Sequence, residues 1–303
     1  MVSLRLGTRG SPLALAQARL AADALRAAHG HALQVEIVPI RTTGDRVQDR
    51  PLHEIGGKAL WTKELDRALL AGETDLSVHS MKDVETFRPD ALHVAALLPR
   101  ADVRDRLVGA ASIAALAEGA RFGTSSPRRA AQLLHRRPDL TIVPLRGNVA
   151  TRLAKLAAGE VDATLLAAAG LLRLGLDEGA AVAIDELLPA PSQGAVGLEV
   201  RSEDVATRGL VEAATDETTA ACVRAERALL AALKGDCRSP VAALATREDG
   251  AVRLRAELLT EDGRDRVADE ARLEPSAETE GAAALAAALL DRAPPRLAAL
   301  FAG

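Results

Sequence analysis

The chain has no tyrosine, three phenylalanines and one tryptophan, so aromatics make up 1% of its 303 residues. Single-stranded nucleic acid is held largely by stacking bases on aromatic rings, and that mode of binding is excluded. Positive charge offers no substitute: 38 Lys and Arg stand against 42 Asp and Glu, a net charge of −4, which provides no basic field for a nucleic-acid backbone. Cysteine is equally scarce. Cys222 and Cys237 can form at most one disulfide, and a reduced cytoplasmic protein is expected. The longest apolar run, near Ala163 to Leu172, is too short to span a bilayer, and Met1 to Arg9 lacks the apolar centre of a signal peptide. Histidines 29, 31, 53, 79, 93 and 135 show no ligand spacing, so no metal site is expected. No Gly-x-Gly-x-x-Gly follows a strand and no Walker A loop occurs, which argues against a dinucleotide or a nucleoside triphosphate.

Two segments echo each other: Arg5-Leu6-Gly7-Thr8-Arg9-Gly10-Ser11-Pro12 and Arg121-Phe122-Gly123-Thr124-Ser125-Ser126-Pro127. In each, a short apolar strand ends at Gly-Thr, a serine stands at the N-cap position, and proline opens a helix where its missing N–H costs nothing. Such helix starts present unpaired N–H groups and the positive end of the helix dipole to an anion. Arg9 in the first, and Arg128 with Arg129 in the second, add full charges. An ordinary helix cap explains either start alone, whereas the repetition beside arginines points to paired lobes that face a shared anion. Arginine is dense throughout the second stretch, at 128, 129, 136, 137, 146, 152 and 173; many such runs are solvated helix faces, and the alternative, which the helix starts favour, is a polyanion site in an acidic protein.

Periodicity predicts helices at 12–28 and 62–71 and strands at 34–42 and 76–80, then helices at 127–135 and 150–158 and strands at 141–144 and 163–167. This alternation reads as parallel α/β layers in two lobes. The pattern changes near residue 217. A helix over 218–233 precedes strands at 241–246, 251–260 and 265–273, joined by Asp249-Gly250 and Asp262-Gly263 turns, and helices at 280–292 and 295–301 close a small α+β domain.

Two positions are candidates for chemistry. Cys222 lies inside a helical run and behaves as a core residue. Cys237, in Lys234-Gly235-Asp236-Cys237-Arg238-Ser239-Pro240, is kept out of regular structure by its neighbours, which leaves its thiol reachable; such a turn cysteine is either incidental, the commoner case, or chemical. Asp75 to Val84 reads as a buried strand that delivers Ser80, Lys82 and Asp83 into a loop at its carboxyl end, where ligands of such sheets bind. A surface Lys–Asp pair is the commoner reading of Lys82 and Asp83. Alternatively, Asp83 is the one anion of a cationic site, suited to stabilising a transient cation on a substrate nitrogen.

In order along the chain stand Thr8-Arg9-Gly10-Ser11-Pro12-Leu13-Ala14, Gly56-Gly57-Lys58, Val78-His79-Ser80-Met81-Lys82-Asp83-Val84, Gly123-Thr124-Ser125-Ser126, Leu145-Arg146-Gly147-Asn148 and Gln193-Gly194-Ala195-Val196-Gly197. Together they resemble the porphobilinogen deaminase (hydroxymethylbilane synthase) family over nearly the whole chain. The resemblance implies two periplasmic-binding-protein-like α/β lobes around a cleft, plus a C-terminal α+β domain with a three-stranded antiparallel sheet. It implies a dipyrromethane cofactor joined through a thioether to Cys237, and four condensations of porphobilinogen onto that primer. Loss of ammonia from each incoming substrate leaves an electron-poor azafulvene whose methylene carbon is attacked by the free α-carbon of the bound chain, and hydrolysis then frees the linear tetrapyrrole. Every pyrrole carries an acetate and a propionate, which accounts for clustered arginines in an acidic protein.

On the same resemblance, Asp83 is catalytic. The cofactor is held by Ser80, Lys82, Thr124, Ser125, Ser126, Arg128, Arg129, Arg146 and Gly147, and the substrate by Arg9, Ser11, Gln17, Arg152, Arg173 and Gln193. Lys58 and Trp61 belong to a flexible loop. The protein is expected to be a monomer without metal, membrane or nucleic-acid partner. Several positions depart from the family pattern: Glu54 replaces a frequent lysine, Trp61 a phenylalanine, Glu85 a proline, Pro127 a leucine and Asp236 a glycine. Asp236 tends to raise the neighbouring thiol's pKa and Arg238 to offset it.

Expected domains are residues 1–98 with 195–212, then 103–188, then 217–303, with hinges near 99–103 and 188–193. Two competing readings are a solute-binding protein, which closes two α/β lobes on small anions, and the effector-sensing domain of a regulator. Both predict reversible binding with no covalent adduct and no ammonia release.

Overall fold

A computed structural model describes residues 2–41 and 62–302. The chain begins with β1 (Val2–Arg9), the helix Pro12–His29 and β2 (Leu33–Ile40), then the helix Lys63–Leu70, β3 (Leu76–Ser80) and β4 (Leu92–Leu97). Next come β5 (Asp105–Val108), β6 (Arg121–Gly123), the helix Pro127–Arg136, β7 (Thr141–Val143), the helix Val149–Ala157, β8 (Ala163–Ala167), the helix Ala168–Arg173 and β9 (Ala180–Ala181). The remainder is β10 (Val196–Arg201), helices Val205–Glu212 and Glu217–Ala232, β11 (Val241–Glu248), β12 (Ala251–Leu259), β13 (Arg266–Leu273), and helices Glu278–Arg292 and Pro295–Ala298. Element types follow the periodicity closely. The last predicted helix stops at Ala298 and tightens into a 3₁₀ turn over Ala299–Phe301.

The contacts divide the chain into two compact units, 1–100 with 195–220, and 101–194 with 221–303. In the first unit the strand order is β2-β1-β3-β10-β4, and in the second β7-β6-β8-β5-β9. The orders correspond position by position. β1 pairs in parallel with β2 and β3, and β6 with β7 and β8; β10 runs antiparallel beside β3, and β5 beside β8. The expectation of parallel layers is therefore corrected, because each sheet contains an antiparallel strand. β10 returns to its sheet from a distant part of the sequence, so no local helix crossover dictates its direction. The echoing Gly-Thr segments occupy equivalent places, at the ends of β1 and β6.

The core of the first unit joins Leu4 and Leu6 of β1 to Ala18, Ala21 and Leu25 of the first helix and to Leu76, Val78, Leu198 and Val200. Small alanines at helical spacing let that helix lie close on the sheet. The second unit also holds an antiparallel sheet, β11-β12-β13. Its first hairpin turns through Asp249 (φ 48°) and Gly250 (φ 82°), the left-handed pair that a two-residue turn demands. Helices Glu217–Ala232 and Glu278–Arg292 cover this sheet through Ala225, Leu229, Leu285 and Leu289.

Candidate functional site

In the first unit the strand-to-helix turn after β1 and the end of β3 meet. Ser11 Oγ accepts the Ala14 N–H at 3.3 Å, capping the first helix as predicted. Gln17, buried on that helix, donates through Nε2 to Ser80 Oγ at 2.9 Å, which fixes the end of β3. The chain then makes a 3₁₀ turn over Met81–Asp83. A pocket opens here, lined by polar groups of Arg9, Ser11, Gln17, His79, Ser80 and Asp83. Asp83 is exposed and is the pocket's one carboxylate among the described residues. Lys82 is half-buried.

Behind the pocket lies a buried charge cluster that sequence reasoning missed. Glu199 of β10, fully buried, contacts His79 Nε2 at 3.1 Å and accepts a fork from Arg88, Nε to Oε1 and Nη2 to Oε2, each at 2.8 Å. Arg88 also pairs with Asp66 and Glu85, both at 2.6 Å. Burial alone raises the Glu199 pKa, but His79 and Arg88 outweigh it and hold the carboxyl down at about 2. Arg88 is likewise desolvated, yet Glu199 and Asp66 hold its pKa above the ordinary guanidinium value. The sequence signal was an acid inside the apolar run of β10.

In the second unit the turn after β6 repeats the first. Ser126 Oγ accepts the Arg129 N–H at 3.4 Å, Thr124 Oγ1 accepts the Ser126 N–H at 3.1 Å, and Ser125 Oγ donates to the Leu145 carbonyl at 3.2 Å. Arg128 and Arg129 are both buried and share one carboxylate. Arg128 Nη2 donates to Asp105 Oδ2, and Arg129 Nη2 to Asp105 Oδ1, each at 2.7 Å. Burial pushes the Asp105 pKa up, but the two arginines overcome it and hold the carboxyl well below its usual range. The trio retains one net positive charge. Asp105, sited beside a predicted hinge, carried no sequence signal of this role.

The Arg146-Gly147-Asn148 turn is set by local chemistry. Asn148 Oδ1 caps the next helix, accepting the Thr151 N–H at 2.9 Å, and Gly147 has φ 110°. Arg152 Nε donates back to the Gly147 carbonyl at 2.9 Å. Arg173 Nη2 donates to the Gly194 carbonyl at 2.7 Å, and burial lowers its pKa. Gln193 Nε2 bonds Val103 O at 2.7 Å and Asp105 Oδ1 at 2.9 Å. Arg136 and Arg137 are used structurally, on the Asp185 carbonyl and on Asp139. Neither Arg146 nor Arg173 meets a carboxylate among the described residues.

Cys237 is exposed and Cys222 buried, with no disulfide between them. A knot around Asp236 holds Cys237 on a turn: the Asp236 N–H donates to Ser239 Oγ at 3.1 Å, and Oδ1 accepts the Arg238 N–H at 2.8 Å. Aspartate in place of glycine thus ties this turn together. Glu226, another buried acid that the sequence did not disclose, accepts the N–H groups of Ser192 and Ala245. The predicted Lys58 and Trp61, and the departure at Glu54, lie outside the described residues.

These residues fit a covalently attached chain of carboxylate-bearing rings. The thiol is accessible, and two buried donors beside the second-unit turns, Arg128 Nε and Arg146 Nη1, have no hydrogen-bond partner among the described residues. Buried donors are rarely left so without a ligand or water to take them. Among the described residues no group of His, Cys, Asp and Glu is arranged to hold a metal ion, and no helix is long and apolar enough to cross a membrane.

The sequence comparisons agree with one another. Residues 4–209 match the model of the porphobilinogen deaminase dipyromethane cofactor binding domain, and residues 220–291 that of the porphobilinogen deaminase C-terminal domain. The porphobilinogen deaminase of Sphingopyxis alaskensis is 59% identical over 307 positions, covering 99% of this chain and 96% of that protein. That of Paracoccus denitrificans is 52% identical, covering 96% and 95%. Among solved structures, the methionine binding protein MetQ aligns with a TM-score of 0.42 at 12% identity, over 70% of this chain and 89% of its own.

Proposed function

The chain belongs to the porphobilinogen deaminase family, and on that premise we propose that Asp83 is its catalytic residue and Cys237 the point of cofactor attachment. The enzyme condenses four porphobilinogen molecules in turn onto a covalent dipyrromethane primer, releases ammonia at each addition, and hydrolyses the product to hydroxymethylbilane in haem biosynthesis. When bound, the dipyrromethane supplies the free pyrrole α-carbon on which the chain grows.

The observation that carries the assignment is that Asp83 is the pocket's one carboxylate among the described residues, exposed among the polar groups of Arg9, Ser11, Gln17 and Ser80. As ammonia leaves the substrate's aminomethyl carbon, positive charge develops on the pyrrole nitrogen. A fixed carboxylate stabilises that charge without reorganising at the moment of reaction, and the same group moves the proton lost when the new bond forms. Arg9, Ser11, Gln17, Arg152 and Arg173 bind the substrate, and Gln193, whose amide hydrogens go to Val103 O and Asp105 Oδ1, serves the substrate site by holding Asp105. Ser80, Lys82, Thr124, Ser125, Ser126, Arg128, Arg129, Arg146 and Gly147 hold those of the cofactor.

Cys237 is assigned over Cys222 because thioether formation needs a thiolate that can be reached, and Cys222 is packed in the core beside Ala225 and Leu229. We assign domains to 1–98 with 195–212, 103–188 and 217–303, and place the enzyme as a monomer in the cytoplasm, where an unbridged exposed thiol persists. Light scattering on a sizing column tests the oligomeric state.

The deciding experiment is intact mass before and after brief exposure to porphobilinogen. A resting excess of two linked pyrroles, growing in single-pyrrole steps with substrate and absent from Cys237→Ser, is expected. An excess that persists in Cys237→Ser rejects the attachment site, and an unmodified mass that substrate does not change favours a reversible binder.

A further inference from the structure

The segment that bears Asp83 leaves the sheet at β3 and has no regular structure beyond its 3₁₀ turn. Something must fix its carboxylate, because a charge that stabilises a cation does so only from a defined position. The structure shows what holds both ends. Upstream, His79 Nε2 lies 3.1 Å from Glu199 Oε2; a carboxylate only accepts, so this nitrogen carries the proton. Downstream, Arg88 closes a two-point fork on the same carboxylate, with Nε on Oε1 and Nη2 on Oε2. Asp83 sits between these two anchors. One buried side chain therefore grips the catalytic segment on either side.

The neighbouring strand reinforces the grip. The Met81 N–H donates to the Ala195 carbonyl at 3.1 Å, and the Met81 side chain packs over Gly197, where a Cβ would have to displace its sulfur. The β10–β4 register shifts between Leu198 and Glu199, which face Ala96 and Val94, so the extra residue, Ala95, lies on β4 opposite Glu199. Arg88 is in turn kept in place by Asp66 and Glu85. Glutamate at position 85, where the family often has proline, thus belongs to the same device.

We propose that Glu199 is a positioning residue for the reaction: through His79 and Arg88 it sets the placement of Asp83, and it touches no substrate itself. The inference rests on the assignment of Asp83 as the catalytic carboxylate. Displacing a catalytic group by about 1 Å can cost on the order of 100-fold in rate, so the consequence falls on turnover more than on binding.

The test uses holoenzyme with Glu199→Gln, which keeps the size of the side chain and removes its charge. Turnover is measured per cofactor-loaded molecule, with loading read from intact mass. The expected result is a kcat lower by about 10- to 100-fold with KM for porphobilinogen within about twofold and cofactor content unchanged. A kcat per loaded molecule equal to wild type, even with lower yield or thermal stability, shows a purely structural role and overturns the proposal. Should that variant fail to fold, Arg88→Lys keeps the charge but loses the fork; a kcat-selective loss supports the grip and an unchanged kcat overturns it. Asp83→Asn is assayed in parallel. If it abolishes turnover while the Glu199 and Arg88 variants are unaffected, only the positioning role falls; if it turns over normally, the underlying assignment of Asp83 falls.

Discussion

Asp105 and Arg129 meet in a fork, with Arg129 Nη2 donating to Oδ1 at 2.7 Å and Nε to Oδ2 at 3.3 Å, while Arg128 takes the same carboxylate from another side. The sequence marks the two arginines as anion ligands; the structure shows that one buried acid organises them first. Asp105→Asn would leave two buried guanidiniums without a counter-charge. Removing one partner of such a pair typically costs about 3–5 kcal/mol. Urea denaturation of the variant is expected to show a loss of that order, and a loss below about 1 kcal/mol would mean the guanidiniums are solvated by other means.

Glu199 makes stability depend on pH in a known direction. Its folded pKa lies at about 2 against an ordinary value of 4.5. A carboxylate whose pKa is depressed by folding stabilises the native state above its unfolded pKa, and that contribution is lost as pH falls through the folded value. The window is therefore 4.5 down to about 2, with a magnitude on the order of 3 kcal/mol. Asp66 works against it, because burial raises its pKa and protonation on acidification relieves that cost. Unfolding free energies measured from pH 6 to pH 2 should fall across this window and fall less in Glu199→Gln. Parallel curves would show that Glu199 titrates alike in both states.

Much of this arrangement is readable in the sequence, for identifiable reasons. Ser11 and Ser126 announce themselves because a cap is a local contract between a side chain and an N–H three residues on. Asp249-Gly250 does the same for the hairpin. Cys237 stands out by its turn-forming neighbours, and Asp83 by its place after a buried strand. What escapes is long-range. Asp105 meets Arg128 and Arg129 from more than twenty residues away, and Glu199 meets His79 across 120 residues. The antiparallel direction of β10 is hidden for the same reason, since it depends on a return to a distant sheet. Glu226 and Glu257 look like ordinary helix and strand surface acids until the packing buries them.

Gly147 separates strain from steric conflict. Its φ of 110° disfavours any side chain, and a Cβ would stand 2.6 Å from Thr151 Cγ2. Gly159 also has positive φ, at 71°, but a Cβ there meets nothing within 4 Å. Gly159→Ala should therefore cost about 1 kcal/mol through backbone strain alone. Gly147→Ala must also displace the turn whose carbonyl accepts from Arg152, and by misplacing that substrate ligand should raise KM for porphobilinogen roughly tenfold, as loss of one charge-assisted contact would. Equal KM values for the two variants would show that this turn does not place Arg152 for substrate binding.

The two cysteines give an independent reading of the cofactor. Cys237 is exposed on its turn, whereas Cys222 is 4% exposed among Ala225, Leu229 and the β11–β12 side chains. In folded protein lacking dipyrromethane, a thiol reagent should modify one cysteine quickly, and the second only at the rate of unfolding, because a core thiol is shielded from solvent. A thioether on Cys237 removes the fast thiol. Holoenzyme should thus show no fast reaction and a single thiol after denaturation, and Cys237→Ser should show the same thiol count without the added pyrrole mass. Two thiols released on denaturing a protein that carries the pyrrole mass would mean that the cofactor is not held through sulfur. A fast thiol persisting in such a protein would place the link elsewhere than Cys237.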